Sequence, residues 1–194
     1  MRMLTEADAP MRYHLFATPI GPVGVAWSDN GLTRLQLPEL DPGATERRLR
    51  GRSPRAAPGR PTAQIDRAIA QVESYLAGKR VDFASVELDL SGIGAFHHRI
   101  YDAARRVPWG ETTTYGDLAQ RVGSPGAARA IGQAMGRNPV PIIIPCHRIL
   151  ASGKKVGGFS AFGGVTTKQR LLALEGVRLD DDAPLLPGLL PSPL

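Results

Sequence analysis

Pro139-Val140-Pro141-Ile142-Ile143-Ile144-Pro145-Cys146-His147-Arg148-Ile149-Leu150 holds the only cysteine in a chain of 194 residues and sets a histidine directly beside it. The run Ile142–Ile144 predicts a short buried strand, ended by Pro145, which has no N–H to give to a ladder. The thiol is therefore expected where a strand stops. A lone cysteine is usually a small buried hydrophobe. This one has neighbours that could activate it, since a free thiol ionises only near pH ~8.5 unless a base or a positive charge lies close. His147 supplies the first and Arg148 the second. Adjacent side chains on a strand face opposite ways, so His147 reaches the sulfur only through a turn or a bridging water. Pro145 marks the place for that turn.

On the N-terminal side of this stretch two short helices are expected in tandem, Tyr115–Val122 and Pro125–Met135, joined at Gly123-Ser124 with Ser124 as N-cap and Pro125 in the first helical position. That is helix-turn-helix spacing. A second helix of this kind ordinarily enters a major groove with long polar side chains, yet this one offers Ala127, Ala128, Ala130, Gly132 and Ala134. Read without other information, such a helix is as well suited to tight core packing. Before the pair, Phe96, Ile100, Ala103, Ala104 and Val107 form one helical face, ended by Pro108-Trp109-Gly110. After the cysteine, a helix is expected over Thr167–Glu175.

The first half reads differently. Residues 12–18, 23–28 and 32–37 predict three strands, separated by Pro19-Ile20-Gly21-Pro22 and Asp29-Asn30-Gly31. Residues 41–61 are rich in Arg, Pro and Gly, with one helical stretch around Ala44–Arg50. Thr62 can cap a helix carrying Ile65, Ile69, Val72 and Leu76, with Gly78 beyond its end. Val81–Leu90 predicts a further strand, and Ser91-Gly92-Ile93-Gly94 a boundary.

Of 24 basic residues, 12 fall in 93–178 against only 4 acidic ones, while 1–92 is nearly neutral and the tail carries Asp180-Asp181-Asp182. A strongly basic half fits a polyanion partner, because Lys and Arg release counterions from phosphates. A single cysteine excludes an internal disulfide and a multi-cysteine zinc site, and calls for a reducing compartment. No metal and no cofactor are expected. With no long apolar run and with Glu6 and Asp8 near the start, neither a membrane span nor a signal peptide is expected, and the cytoplasm is the default.

Asn138-Pro139 followed by Ile144-Pro145-Cys146-His147-Arg148 resembles the signature of the O6-alkylguanine-DNA alkyltransferases. The resemblance runs on through Tyr115, Ala127-Ala128-Arg129-Ala130-Ile131-Gly132, Gly157-Gly158-Phe159-Ser160 and Leu171-Leu172-Ala173-Leu174-Glu175-Gly176, covering roughly 93–178. It implies an α/β protein: an N-terminal α/β domain with a small antiparallel sheet over 1–92 and a mainly helical, winged helix-turn-helix-like DNA-binding domain over 93–178; the Asp-, Pro- and Leu-rich residues 179–194 are expected to be a flexible tail.

The activity implied is DNA repair by irreversible, single-turnover transfer of an alkyl group from O6-alkylguanine in double-stranded DNA to Cys146, carried out by a monomer. By the same resemblance Glu175 holds His147, which takes the proton of Cys146 through a water. Tyr115 protonates the leaving guanine, the backbone around Cys146, Ile149 and Ser160 binds the base edge, Asn138 braces the cysteine turn, and Met135 and Phe159 line the pocket. The helix carrying Ala127, Ala128, Ala130 and Gly132 lies in the minor groove, with Arg129 filling the gap left by the extruded base. Lys154, Lys155, Arg137 and Arg121 are candidate phosphate contacts.

The chain departs from the resembling pattern at Phe159-Ser160-Ala161-Phe162-Gly163-Gly164, where relatives place a tyrosine ahead of a Gly-Gly pair in a shorter loop. That bears on the size of adduct accepted. The alternative reading is a non-catalytic sensor of alkyl lesions, against which Cys146 argues directly. A cysteine hydrolase would have no use for the basic half, and a base-reading regulator would need longer side chains on its second helix.

Overall fold

The computed structural model describes residues 10–178, so the tail expectation lies outside the described residues. Strands β1 (Met11–Phe16), β2 (Val23–Ser28) and β3 (Gly31–Gln36) form an antiparallel meander. A fourth, β4 (Ala56–Pro58), pairs parallel to β1, giving the order β3-β2-β1-β4. Gly31 makes the β2–β3 turn at φ +138°, where a Cβ would lie 2.6 Å from the Glu87 carbonyl oxygen, so only glycine fits.

Two helices cover this sheet. Helix α1 (Pro42–Arg52) starts at Asp41, whose carboxylate accepts from the Ala44 N–H at 2.7 Å, with a proline in the first turn. Its Leu49 packs with Tyr13 and Ala26. Helix α2 (Ala63–Leu76) is capped by Thr62 and buries Ile65, Ala68, Ile69, Val72, Tyr75 and Leu76 in the core that also holds Val25 and Trp27. Alternation along β2 thus sends neighbouring residues to different helices.

Two expectations for this half are corrected. Val81–Leu90 is not a strand: its buried residues Phe83, Val86 and Leu90 do not alternate, and only Leu88 bridges to Leu32. The strand that does complete the sheet lies in the Arg/Pro/Gly-rich region, where none was expected. Its Pro58 has no N–H to donate, which suits an edge position.

The second half is mainly helical: α3 (Ala95–Arg105), α4 (Tyr115–Arg121), α5 (Ala128–Gly136) and α6 (Gly164–Leu174). A short parallel pair, β5 (Thr113–Thr114) with β6 (Ile149–Leu150), brings the base of α4 beside the end of the cysteine stretch. Helix α4 opens on a full capping box between Thr114 and Asp117.

The start of α5 is a correction. Ser124 does not cap it; instead Ser124-Pro125-Gly126-Ala127 is a turn closed by Ala127 N–H to the Ser124 carbonyl at 3.1 Å, with Gly126 at φ +84°. Proline second and a left-handed glycine third is type II turn chemistry, which stops a helix from starting at Pro125. One apolar core runs from β2 and α2 through α3, α4 and α5 to Cys146. Among the described residues no helix is long and apolar enough to cross a membrane.

Candidate active site

Ile142–Ile144 is buried as expected but is not a strand. Ile142 takes φ +73°, the only positive φ among the described non-glycine residues, and Pro141 bridges only to Ile144. Asn138 explains how the chain tolerates this. Its amide donates to the Ile144 carbonyl at 2.8 Å and its side-chain oxygen accepts from the Val140 N–H at 3.0 Å. The Ile144 N–H returns to Val140 at 2.9 Å. One side chain thus supplies the bonds that a neighbouring strand would have given. Pro145 then starts a single 3-10 turn, Cys146–Arg148, from which His147 and Arg148 both reach Glu175 while Cys146 lines a cavity.

Behind the thiol lies a sealed polar cluster. His147 Nε2 is 2.7 Å from Glu175 Oε1, and neither side chain has any exposed surface. Arg148 turns its charge toward Glu175, with Nε 2.9 Å from Oε2 and Nη2 2.9 Å from Oε1, and Nη1 donates to the Val107 carbonyl at 2.6 Å. The Gly110 N–H donates to Oε2 at 3.2 Å. From the other half of the chain, the fully buried Tyr75 hydroxyl donates to Glu175 Oε1 at 2.7 Å and lies 3.1 Å from His147 Nε2. Placing a carboxylate at the C-terminal end of α6 is unfavourable in isolation; here five donors surround it.

These contacts set the charges. Burial acts most strongly on Glu175 and favours its neutral form, but hydrogen bonds from His147 and Arg148 and their charges outweigh it and hold the carboxyl down at about 2. Burial lowers the pKa of His147, with Glu175 pulling the other way. Burial raises the Cys146 thiol, opposed by the Asn138 amide, the Lys168 ammonium and nearby backbone N–H groups. Both shifts favour the neutral forms, thiol and imidazole. That corrects the expectation that Arg148 lends its charge to the sulfur: it is spent on Glu175. With Nε2 engaged by acceptors, His147 carries its hydrogen there and leaves Nδ1 as the acceptor. Nδ1 is buried and meets no described protein partner.

The other side of Cys146 is open. A cavity of about 400 Å³ is lined by Tyr115, Gly132, Met135, Gly136, Cys146, Gly158, Phe159 and Ser160. The Tyr115 ring lies between Gly132 and Gly157, at 4.0 and 3.6 Å from where their Cβ atoms would be. Lys168 is fully buried, donates to the Ile149 carbonyl at 2.5 Å and places Nζ 5.7 Å from the centre of the Tyr115 ring. Burial pulls its pKa down to about 8.

Two family models match this chain: the 6-O-methylguanine DNA methyltransferase DNA binding domain over residues 95–177, and the ribonuclease-like domain of the same enzymes over 11–90. The chain belongs to the 6-O-methylguanine DNA methyltransferase family. It is 39% identical over 170 residues to the methylated-DNA–protein-cysteine methyltransferase of Mycolicibacterium paratuberculosis, covering 85% of this chain and 92% of that protein. Against the enzyme of Methanothermobacter thermautotrophicus it is 35% identical over 175 residues, 90% of this chain and 91% of the other. The crystal structure of Mycobacterium tuberculosis OGT in complex with DNA superposes with a TM-score of 0.70 at 36% identity, over 84% of this chain and 92% of that one. The α/β sheet followed by a helical second half is the fold of those structures.

Within that family fold, the residues expected at the site divide into four groups. Tyr115, Met135, Phe159 and Ser160 meet Cys146 around the open cavity. His147 and Glu175 meet each other behind it. Ile149 is fully buried with its carbonyl taken by Lys168, and Asn138 lies in the wall rather than in this cavity. Arg129 is exposed on α5, and Ala127, Ala128, Ala130 and Gly132 are half-buried on the same short segment. Arg121, Arg137 and Lys155 are exposed.

Sequence reasoning passed over Tyr75 and Lys168. Each had a signal: Tyr75 lies on the apolar face of α2, and Lys168 shares a face of α6 with Leu171, Leu172 and Glu175. A buried tyrosine hydroxyl or lysine ammonium needs a partner.

Proposed function

We propose that this protein repairs DNA by moving the alkyl group of O6-alkylguanine onto Cys146, once per molecule. The observation that carries the reading is the position of Cys146 between an open cavity with Tyr115 on its wall and a sealed His147–Glu175 pair with a free Nδ1.

In the reaction the lesion base leaves the duplex and enters the cavity, at a cost of about a few kcal/mol that is lower for a badly paired base. Arg129 takes its place in the stack, while the small residues Ala127, Ala128, Ala130 and Gly132 let α5 approach the minor groove. Arg121, Arg137 and Lys155 hold phosphates. His147 Nδ1 takes the thiol proton through one water, and Glu175 stabilises the imidazolium that results. The sulfur then attacks the alkyl carbon: the S–C bond forms as the C–O6 bond breaks, and the electron pair stays with guanine.

Tyr115 gives the leaving base its proton at N3. Its own pKa is raised by burial and by Cys146, and Lys168, lying over the ring, favours recovery of charge balance when the phenol donates. The backbone of Ser160 reads the base edge, Met135 and Phe159 sandwich the ring, and Asn138 keeps the turn in place; the Ile149 carbonyl, held by Lys168, backs the site instead. The product is a thioether with no low-cost route to hydrolysis, so no turnover follows. No cofactor enters any step.

All of these groups come from one chain, which supports action as a monomer, and the free thiol fits the reducing cytoplasm. A division at 92/93 is supported by two family models that end and begin on either side of Ser91–Gly94.

The test is mass spectrometry of the intact protein and its peptides after incubation with a duplex containing one O6-methylguanine, with Cys146→Ser as control. One methyl group on Cys146 of the wild type alone is expected. Binding of the lesion without modification would replace this reading with that of a lesion sensor.

A further inference from the structure

Tyr75 is a buried titratable group that the reaction just described does not use, and it comes from α2, outside the residues that form the cavity. Its hydroxyl meets two members of the site at once, Glu175 Oε1 at 2.7 Å and His147 Nε2 at 3.1 Å. The ring is pinned by Trp109, edge-on with centroids 5.3 Å apart, and by Phe83 at 5.7 Å. Placement this complete is more than a hydroxyl needs for mere satisfaction, since Glu175 alone would provide that.

The bonding fixes who donates. A carboxylate only accepts, so the Tyr75 O–H points at Glu175 and the tyrosine oxygen turns its lone pairs toward Nε2. Nε2 is then faced by two acceptors and must carry the hydrogen. It has one hydrogen to give, and the shorter contact, 2.7 Å, goes to Glu175. The influence of Tyr75 on His147 therefore runs chiefly through the carboxylate: by donating to Oε1 it draws off negative charge that would otherwise stabilise an imidazolium.

We propose that Tyr75 is a positioning residue of the alkyl-transfer site, by which the N-terminal half keeps His147 neutral, in the Nε2–H form, with Nδ1 ready to accept the thiol proton. This rests on the reading of His147 as the base. The charged groups that face the imidazole are Glu175 and Lys168 at the two ends of the α6 face and Arg148 on the same 3-10 turn; the Cys146 thiol is the neighbouring titratable group, and Tyr75 is what α2 adds. Burial and the nearby carboxylate raise the phenol's own pKa far above neutrality, so it stays a donor over the whole working range.

The sign follows. His147 accepts a proton only when neutral, so the rate falls on the acid side. In Tyr75→Phe the carboxylate loses a donor, imidazolium is favoured, and the acid limb of the rate profile moves to higher pH. The loss against wild type is expected to be about three- to tenfold near the foot of the limb and to vanish on the alkaline plateau, the size expected for one hydrogen bond to a charged group.

Two readouts separate this proposal from the reading beneath it. The first is methyl transfer from the O6-methylguanine duplex as a function of pH. The second is alkylation of Cys146, the only thiol, by iodoacetamide over the same range, which needs no DNA. Nitrogen-15 shifts of His147 in both proteins give its tautomer and titration directly. Phe83→Leu is the packing control: it loosens Tyr75 but keeps the hydroxyl, so it lowers stability and leaves the limb in place.

A limb and a His147 titration that move in Tyr75→Phe and stay put in Phe83→Leu support the proposal. Equal losses at every pH, or an unmoved His147, overturn it. If iodoacetamide shows the shift but wild type takes no methyl group from DNA, Tyr75 still positions His147 as the base beside Cys146 and the alkyl-transfer reading fails.

Discussion

Cys146 separates two regions built on opposite rules. Behind it, Glu175, His147, Arg148 and Tyr75 are buried and bonded to one another or to backbone groups at 2.6–3.2 Å. In front of it, Tyr115, Met135, Phe159 and Ser160 leave a cavity of about 400 Å³. The sealed side can be rigid because nothing has to enter it. The open side must admit and release a base, so its walls come from glycines and from the Gly157–Gly164 loop rather than from a saturated network. Charge follows the same division: the fixed ion pair is sealed, while the exposed cations Arg121, Arg129, Arg137 and Lys155 have solvent-facing positions.

The sealed side should show the largest effects. Glu175→Gln leaves the Arg148 guanidinium buried without its counter-charge, which costs about 3–5 kcal/mol of stability. Urea unfolding measures that loss, and methyl transfer should slow by about 100-fold or more as the base loses its orienting partner. The same substitution tests the acid behaviour. Glu175 has its folded pKa held at about 2, below an ordinary 4.5, so its contribution is fully present above pH 4.5 and is lost as pH falls toward 2. The amount is about 3 kcal/mol. Wild type should lose that stability across the window, and Glu175→Gln should show a correspondingly flatter profile. Similar slopes in the two proteins would mean that the carboxylate is not held by its neighbours as described.

On the open side, Arg129→Ala should spare the chemistry and weaken only the step that needs a duplex. The expected loss is about tenfold in transfer from duplex DNA, in keeping with a group that offsets part of the few kcal/mol of base extrusion. Transfer from a free O6-alkylguanine base should be unchanged. Equal losses on both substrates would move Arg129 from the stack to the cavity.

The contrast also explains what could be read from the chain. Cys146, His147, Tyr115 and Glu175 lie in local patterns that survive as a string, and α2 was visible from the spacing of Ile65, Ile69, Val72 and Leu76. What could not be read depended on distant partners. Ile142–Ile144 looks like a strand because three branched apolar residues in a row ordinarily are one; only Asn138, reaching back over the loop, makes a left-handed Ile142 tolerable. Pro125 looks like a helix start until Gly126 is seen to complete a type II turn. β4 hides in a polar segment because its partner, β1, is more than forty residues away in sequence. Tyr75 is the sharpest case, since its two hydrogen-bond partners lie 72 and 100 residues along the chain.

The smallest expected effect is at Phe159, the residue by which this chain departs from the tyrosine that its resemblance implies. Phe159 is half-buried, lines the open cavity and has no hydroxyl to bond. Phe159→Tyr keeps the aromatic ring in the cavity wall and adds one polar atom at the margin of an apolar surface. A hydrophobic site discriminates weakly over an added hydroxyl, so methyl transfer should change by less than about tenfold. The distinction should appear with adduct size instead. If the loop around Phe159 sets how large a group fits beside Cys146, the ratio of benzyl to methyl transfer will shift in Phe159→Tyr while the methyl rate holds, because only the larger group reaches the altered edge. A parallel change in both rates would assign Phe159 to binding of the guanine itself and leave adduct size to Met135 and Tyr115.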